Sequence, residues 1–310
     1  MERRGSPRRG FGGVTPHFNQ KRLPMAARIL DGRALAAELR EVLKSEAAEL
    51  RARGVVPRLL VAMVGEDESS LAYVRGMRSL GERIGVEVAV DVLPGDVDDA
   101  GVRAALARYD ADDAVHGIIL QQPLPPHLSI RAIAGAMPER KDVDGASPVN
   151  QGRLAFATGA RFIPATPAAV MLLLERSSAW PLRGRAVTVV GRSNVVGLPV
   201  SLLLMAHDAT VTVTHKATID IEARVREAEV VVVAAGAPHL VDANWLRPGA
   251  VVIDVGTTVV DGKLLGDVDF ESAARVAGEI TPVPGGVGPV TNVALMRNVL
   301  AAARDASAAS

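Results

Sequence analysis

The sequence predicts an α/β protein of two domains, each a mainly parallel sheet covered by helices, with the last helix packing back on the first domain. Three observations predict it. The chain has 310 residues, a length that corresponds to about two domains of ordinary size. From Ile29 onward strand-like and helical segments alternate, and such alternation requires parallel strands joined by helical crossovers. Residues 138–167 are rich in turn formers and lose periodicity, which splits the alternation into two series.

Taken in order, Asp31 is placed to cap a helix whose apolar stripe is Leu35, Leu39, Val42, Leu43 and Leu50, with Gly54 as its stop. Residues 59–64 form an apolar run too short for a helix and right for a buried strand. A helix over 70–83, a strand over 86–93, another helix and a strand over 117–120 follow. The second series has strands at 186–190, 210–214, 230–234 and 251–255, with helices between the first three. A helix over 290–303 is apolar on one face and ends the pattern.

Composition excludes several classes. Hydrophobic residues at 48% and charged residues at 23% belong to a soluble globular chain rather than a disordered one. Equal numbers of basic and acidic residues, 35 each, argue against a nucleic-acid or membrane-surface partner. Cysteine is absent, which removes disulfides and thiolate chemistry and fits a reducing, cytoplasmic setting. The six histidines are scattered with none at helical spacing to another, so no metal site is expected. Residues 1–24 carry six basic side chains against one acid, among Gly and Pro. They read as a disordered basic leader, with a binding arm as the alternative.

Val187-Thr-Val-Val-Gly-Arg-Ser-Asn-Val-Val-Gly197 sets a strand, a glycine-containing turn and a helix start in sequence. Such a turn brings backbone N–H groups at a helix N-terminus to a pyrophosphate. The match to the three-glycine fingerprint is partial: Gly191 and Gly197 are present, and Ser193 stands at the middle position. Alone, it also fits a tight turn with no ligand. Folds that prefer NAD carry an acid about 20 residues further on; here His215 and Lys216 follow the second strand, and Arg192 lies in the turn. Cations at both places favour a 2′-phosphate, hence NADP.

Further segments appear in a fixed order: Asp31-Gly32, Ser70-Leu-Ala-Tyr-Val74, Gly117-Ile-Ile-Leu-Gln-Gln-Pro-Leu-Pro125, Lys141-Asp-Val-Asp-Gly145, Thr166-Pro167 and Thr281-Pro-Val-Pro-Gly-Gly-Val-Gly-Pro289. With the turn at 191–197 they resemble the bifunctional methylenetetrahydrofolate dehydrogenase/cyclohydrolase family over residues 25–303. The resemblance implies a folate-binding domain (25–165 with 289–304) and a Rossmann-type NADP-binding domain (166–288) around a cleft, and a homodimer. It implies oxidation of methylenetetrahydrofolate by NADP, then hydrolysis of the methenyl product. By position, Ser70 and Tyr73 would line the folate site, Gln121 would bond near the one-carbon unit, and Asp144 would accept from the pterin edge. Pro284 and Gly285 would form the wall behind it. Gly191, Arg192, Ser193, Gly197, Lys216 and Thr257 would surround the cofactor. Each residue also has a plain reading: Tyr73 as a half-buried helix aromatic, Gln121 as a strand end, Asp142 and Asp144 as an Asx turn before Gly145. The two acids do not begin a calcium loop, because Arg153 stands at the twelfth position.

The pattern breaks at Met77. The family places a reactive lysine four residues after the tyrosine, on the same helix face, and here that residue is a thioether. Hydride transfer is mainly a matter of positioning, whereas hydrolysis needs a group that carries a proton. The expectation is therefore a dehydrogenase whose cyclohydrolase step is weak or absent. A fully bifunctional enzyme and a non-catalytic binding paralogue are the alternatives. Asn292 and Thr258 depart from the family's pattern near the same site, which leaves room for a modified folate.

Overall fold

The computed structural model describes residues 27–66, 68–156 and 159–309; the basic stretch 1–24 lies outside the described residues. A short strand, β1 (Arg28–Ile29), leads into α1 (Gly32–Ala52). Asp31 caps this helix, its Oδ1 accepting from the N–H groups of Arg33 at 2.8 Å and Ala34 at 3.1 Å. Gly54, at φ +81°, turns the chain away beyond the other end. Leu35, Leu43, Ala47 and Leu50 are buried. Val42, placed in the predicted stripe, instead faces solvent. It sits about 100° around the helix from Leu43, off the line of the buried residues.

Strands β2 (Arg58–Val64), β3 (Glu87–Leu93) and β4 (Gly117–Leu120) form a parallel sheet in the order β3-β2-β4, with α2 (Glu68–Ile84) and α3 (Asp99–Ala111) as crossovers. The aperiodic stretch 138–167 holds more order than its composition predicts. After the short α4 (Ile130–Ile133), Asp142 bridges in parallel to Ile118 and lengthens the sheet edge. Then come α5 (Pro148–Ala155) and the start of α6 (Ala165–Leu174). α5 is short, but Ser147 caps it and Pro148 opens it. α6 is buried on nearly every face, so its sequence shows no amphipathic period.

The second sheet takes β5 (Ala186–Val190), β6 (Thr210–Thr214), β7 (Val230–Val233) and β8 (Val251–Asp254), with α7 (Gly197–Ala206) and α8 (Ile221–Glu227) as crossovers. A hairpin of β9 (Thr258–Val260) and β10 (Lys263–Leu265), the short α9 (Phe270–Ala273) and β11 (Glu279–Ile280) follow. Strand order is β1-β11-β8-β7-β5-β6, parallel throughout. The order reverses between β5 and β7, the switch point where such sheets bind ligands beyond their strand ends. In the first sheet the same reversal lies between β2 and β4.

The two units are tied at both chain ends. β1 forms the edge of the second sheet, and α10 (Val287–Ala309), longer than predicted, packs along α1 and α6. One apolar cluster holds Leu59 and Val61 of β2, Val187 and Val189 of β5, and Leu295 and Met296 of α10. Within α10, the buried Asn298 amide donates to the carbonyls of Val143 at 2.8 Å and Ile163 at 2.9 Å. Asn298→Ala leaves both carbonyls without that donor, and unsatisfied buried groups cost roughly 1–3 kcal/mol each. Urea unfolding is expected to show a loss of about 2–4 kcal/mol. A loss below about 0.5 kcal/mol, the range of neutral surface changes, would contradict the clamp.

Candidate active site

Gln121 stands just past the carboxyl end of β4, beside β2. The Gln121 N–H donates to the Ala62 carbonyl at 2.9 Å, carrying the β4 pairing one residue further. Its side-chain amide donates to the Gln122 carbonyl at 2.7 Å, at the end of the strand. Helix α2, which follows β2, holds Ser70 buried, Tyr73 39% exposed and Met77 wholly enclosed. Met77 belongs to the apolar cluster with Val74, Leu80, Ile119 and Val143. One turn of helix thus separates a partly exposed tyrosine from a thioether sealed in the core. Loss of water around the Tyr73 hydroxyl pushes its pKa up to about 12, and the charge of Asp144 adds to the effect. Tyr73 therefore stays protonated at any working pH and is available as a donor.

The Lys141-Asp-Val-Asp-Gly145 segment divides its labour. The Lys141 ammonium donates to the carbonyls of Tyr109, Asp110 and Asp112 at 3.0, 2.8 and 2.7 Å, fastening the segment to the end of α3. Asp142 is fully buried. Its carboxylate accepts from the N–H groups of Ala146 and Ser147 and from the Asn150 amide, at 3.0, 2.9 and 2.7 Å. Gly145 sits at φ +62°, and a Cβ there would stand 2.8 Å from the Phe162 carbonyl oxygen, so the turn requires glycine. The plain turn-forming reading holds for Asp142 but not for Asp144. Among the described residues nothing donates a hydrogen bond to the half-buried Asp144 carboxyl. Burial first, and then the neighbouring Asp142 charge, raise its pKa to about 7.

On the second sheet, the Gly191 N–H donates to the Thr214 carbonyl at 2.9 Å. A Cβ on Gly191 would lie 2.0 Å from the Ala234 oxygen, and one on Gly197 would lie 2.2 Å from the Gly191 oxygen. Neither position admits a side chain. Ser193, where the fingerprint has glycine, accepts from the Val196 N–H at 3.2 Å and so closes the turn itself. Arg192 in the turn, Lys216 just beyond β6 and Thr257 just beyond β8 are exposed. Among the described residues neither cation has an acid partner. A tight turn at a switch point with two unpaired cations fits a phosphorylated dinucleotide.

The segment from Thr281 runs from β11 to the last helix. Pro284 is exposed and Gly285 buried. A Cβ on Gly32 would lie 1.8 Å from the Gly286 oxygen, so the Asp31-Gly32 pair is a backbone seat for this wall. The Asn292 side-chain oxygen is buried with no donor among the described residues. Three residues that organise the site escaped the sequence reading: Asn298, Asp254 and Asp267. Asp254 accepts from the N–H groups of Gly256, Asp267 and Val268 at 2.9, 3.0 and 3.0 Å. An acid closing an otherwise apolar strand was the signal available for it.

The Asp144 shift has a consequence for stability. A carboxyl whose folded pKa, about 7, lies above its unfolded value of 3.8 holds a proton that the unfolded chain has released. Its contribution to stability therefore falls as pH rises from about 4 to about 7, and the whole penalty is present at pH 8. Asp144→Asn is expected to raise the melting temperature at pH 8, with a gain that shrinks towards pH 4. An equal gain at both pH values, or none at pH 8, would contradict the assignment.

Comparison with known proteins matches this geometry. Residues 30–144 match the family model of the tetrahydrofolate dehydrogenase/cyclohydrolase catalytic domain, and residues 164–307 match that family's NAD(P)-binding domain. The chain is 48% identical over 282 residues to the bifunctional protein FolD of Chloroflexus aggregans, covering 90% of this chain and 98% of the relative. The FolD of a Parafrankia species is 47% identical over 276 residues, covering 89% and 99%. The crystal structure of FolD from Campylobacter jejuni superposes with a TM-score of 0.88 at 37% identity, covering 90% of this chain and 99% of that one. The Trypanosoma brucei enzyme, solved with NADP cofactor and inhibitor, gives 0.85 at 40% identity, covering 91% and 98%. With both of its domains matched in this way, the chain belongs to the tetrahydrofolate dehydrogenase/cyclohydrolase family.

Proposed function

We propose that the protein oxidises methylenetetrahydrofolate with NADP and hydrolyses the methenyl product only slowly. In this reading Asp144 accepts from the amino and ring N–H groups of the pterin, which favours its ionised form. Tyr73 packs against the folate and keeps its hydroxyl proton. Gln121 holds the one-carbon end, while Pro284 and Gly285 back the pterin. Arg192 and Lys216 grip the 2′-phosphate. NADP, when bound, supplies a hydride acceptor; the chain's own work is to hold the donor carbon close to it and keep water out.

One observation carries the weak hydrolysis: a thioether, wholly enclosed, at position 77. Adding water to a methenyl cation gives the formyl product and releases a proton, and Met77 can neither accept nor deliver one. Loss of a general acid/base lowers such a rate by about 10²–10⁴. A second reading keeps both activities at full strength, and it has broader support, since the relatives at 42–48% identity are named bifunctional. In it Asp144, which titrates near neutrality, or an ordered water takes the amine's place.

Incubating the protein with methylenetetrahydrofolate and NADP, and following NADPH, methenyl and formyl species, separates the two. The first reading expects methenyltetrahydrofolate to accumulate and decay at its buffer rate, with Met77→Lys restoring hydrolysis. Wild-type hydrolysis far above the buffer rate establishes the bifunctional reading. For the cofactor, Arg192→Ala is expected to raise KM for NADP far more than for NAD; equal losses would remove Arg192 from the 2′-phosphate.

A further inference from the structure

The loop after β7 is held by an acid for which the chemistry above has no use. Asp267 is fully buried just beyond β10. Its Oδ2 accepts from the N–H groups of Ala235 at 2.6 Å and Gly236 at 2.8 Å, and its Oδ1 accepts from Ala237 at 2.9 Å. Three successive N–H groups aimed at one point form a concavity that binds anions, and here the chain supplies the anion itself. The acid is fixed in turn, since its own N–H donates to Asp254 Oδ1 at 3.0 Å. The Asp254 N–H donates to Thr281 Oγ at 2.8 Å, where the folate wall begins.

The loop so held is the partner of the glycine turn. The Ala234 oxygen is the atom that a Cβ on Gly191 would strike, and the loops after β5 and β7 flank the switch point of the sheet. Moving residues 235–237 therefore moves the floor on which the Gly191 turn rests. Among the described residues, the first sheet contributes no hydrogen bond to this network.

We propose that Asp267 is a positioning residue for the dinucleotide: it keeps residues 235–237 in register with the Gly191 turn, and so sets affinity for NADP separately from affinity for folate. This rests on the second unit being the NADP site. Without the carboxylate, three N–H groups lose a charged acceptor at once, a change large enough to reorder a loop.

Two variants test it, Asp267→Asn, which keeps the shape and one acceptor oxygen, and Asp267→Ala. Hydrogen exchange at residues 235–237 is read in protein without ligand, and calorimetry gives Kd for NADP and, separately, for methylenetetrahydrofolate. The expected result is faster exchange confined to that loop and an NADP Kd raised about tenfold or more, with folate Kd within about twofold. Asp267→Asn is expected to fall between wild type and Asp267→Ala. Unchanged NADP affinity beside faster exchange overturns the proposal, as does proportional weakening of both ligands with a lowered Tm, the mark of a merely structural acid. Wild-type protein that binds folate but no NADP overturns the NADP reading together with this proposal, so the two failures are told apart.

Discussion

A buried backbone N–H must find an acceptor, and parallel sheets place many such groups in the loops beyond their strand ends. This chain answers them with buried carboxylates. Asp142 takes two N–H groups and an amide, Asp254 takes three N–H groups and Asp267 three more. Glu279, at the β11 end, accepts from the Ser178 N–H at 3.0 Å and from Arg28 at 2.7 Å. Asp142, Asp254 and Asp267 fix loops beyond the carboxyl ends of the strands, whereas Glu279, the first residue of β11, ties the opposite end of the sheet to Ser178 and Arg28. Asp144 stands apart, because it has the same chemistry and, among the described residues, no donor. An acid with donors holds the fold, and in the proposed function the acid left without them reads the ligand.

The second constraint is close backbone approach. Gly32 against Gly286, Gly191 against Ala234 and Gly197 against Gly191 are contacts that no side chain could share. They bring the wall at Pro284 and Gly285 onto α1 and the cofactor turn onto the loop after β7. The long α10 then starts at that wall and reaches back through Asn298 to the segment carrying Asp144. The loops proposed to face folate and cofactor thus share a support, as hydride transfer between two bound molecules demands.

The alternation of strands and helices, the Asp31 cap and the glycine turn were all legible in the sequence, because local periodicity and short motifs carry them. The helices α5 and α6 were not, since one is brief and the other is buried all round. The edge placement of β1 was invisible, because two residues carry no pattern and their partner β11 lies about 250 residues away. Asp267 and Asn298 were missed for a related reason. Their meaning lies in carbonyls and N–H groups distant along the chain, which no local spacing reveals. The methionine at position 77 was visible at once, but only the structure shows that it is sealed in the core rather than lining a wet pocket.

The family is clear, and in the proposed function both chemical steps depend on the Asp144 carboxyl. A crystal structure with NADP and a folate bound tests that dependence most directly. The account predicts the Asp144 oxygens within about 3 Å of two pterin N–H donors, with Asp142 still holding Ala146 and Ser147. A pterin bound elsewhere, with Asp144 facing only solvent or turned onto backbone N–H groups, would contradict it.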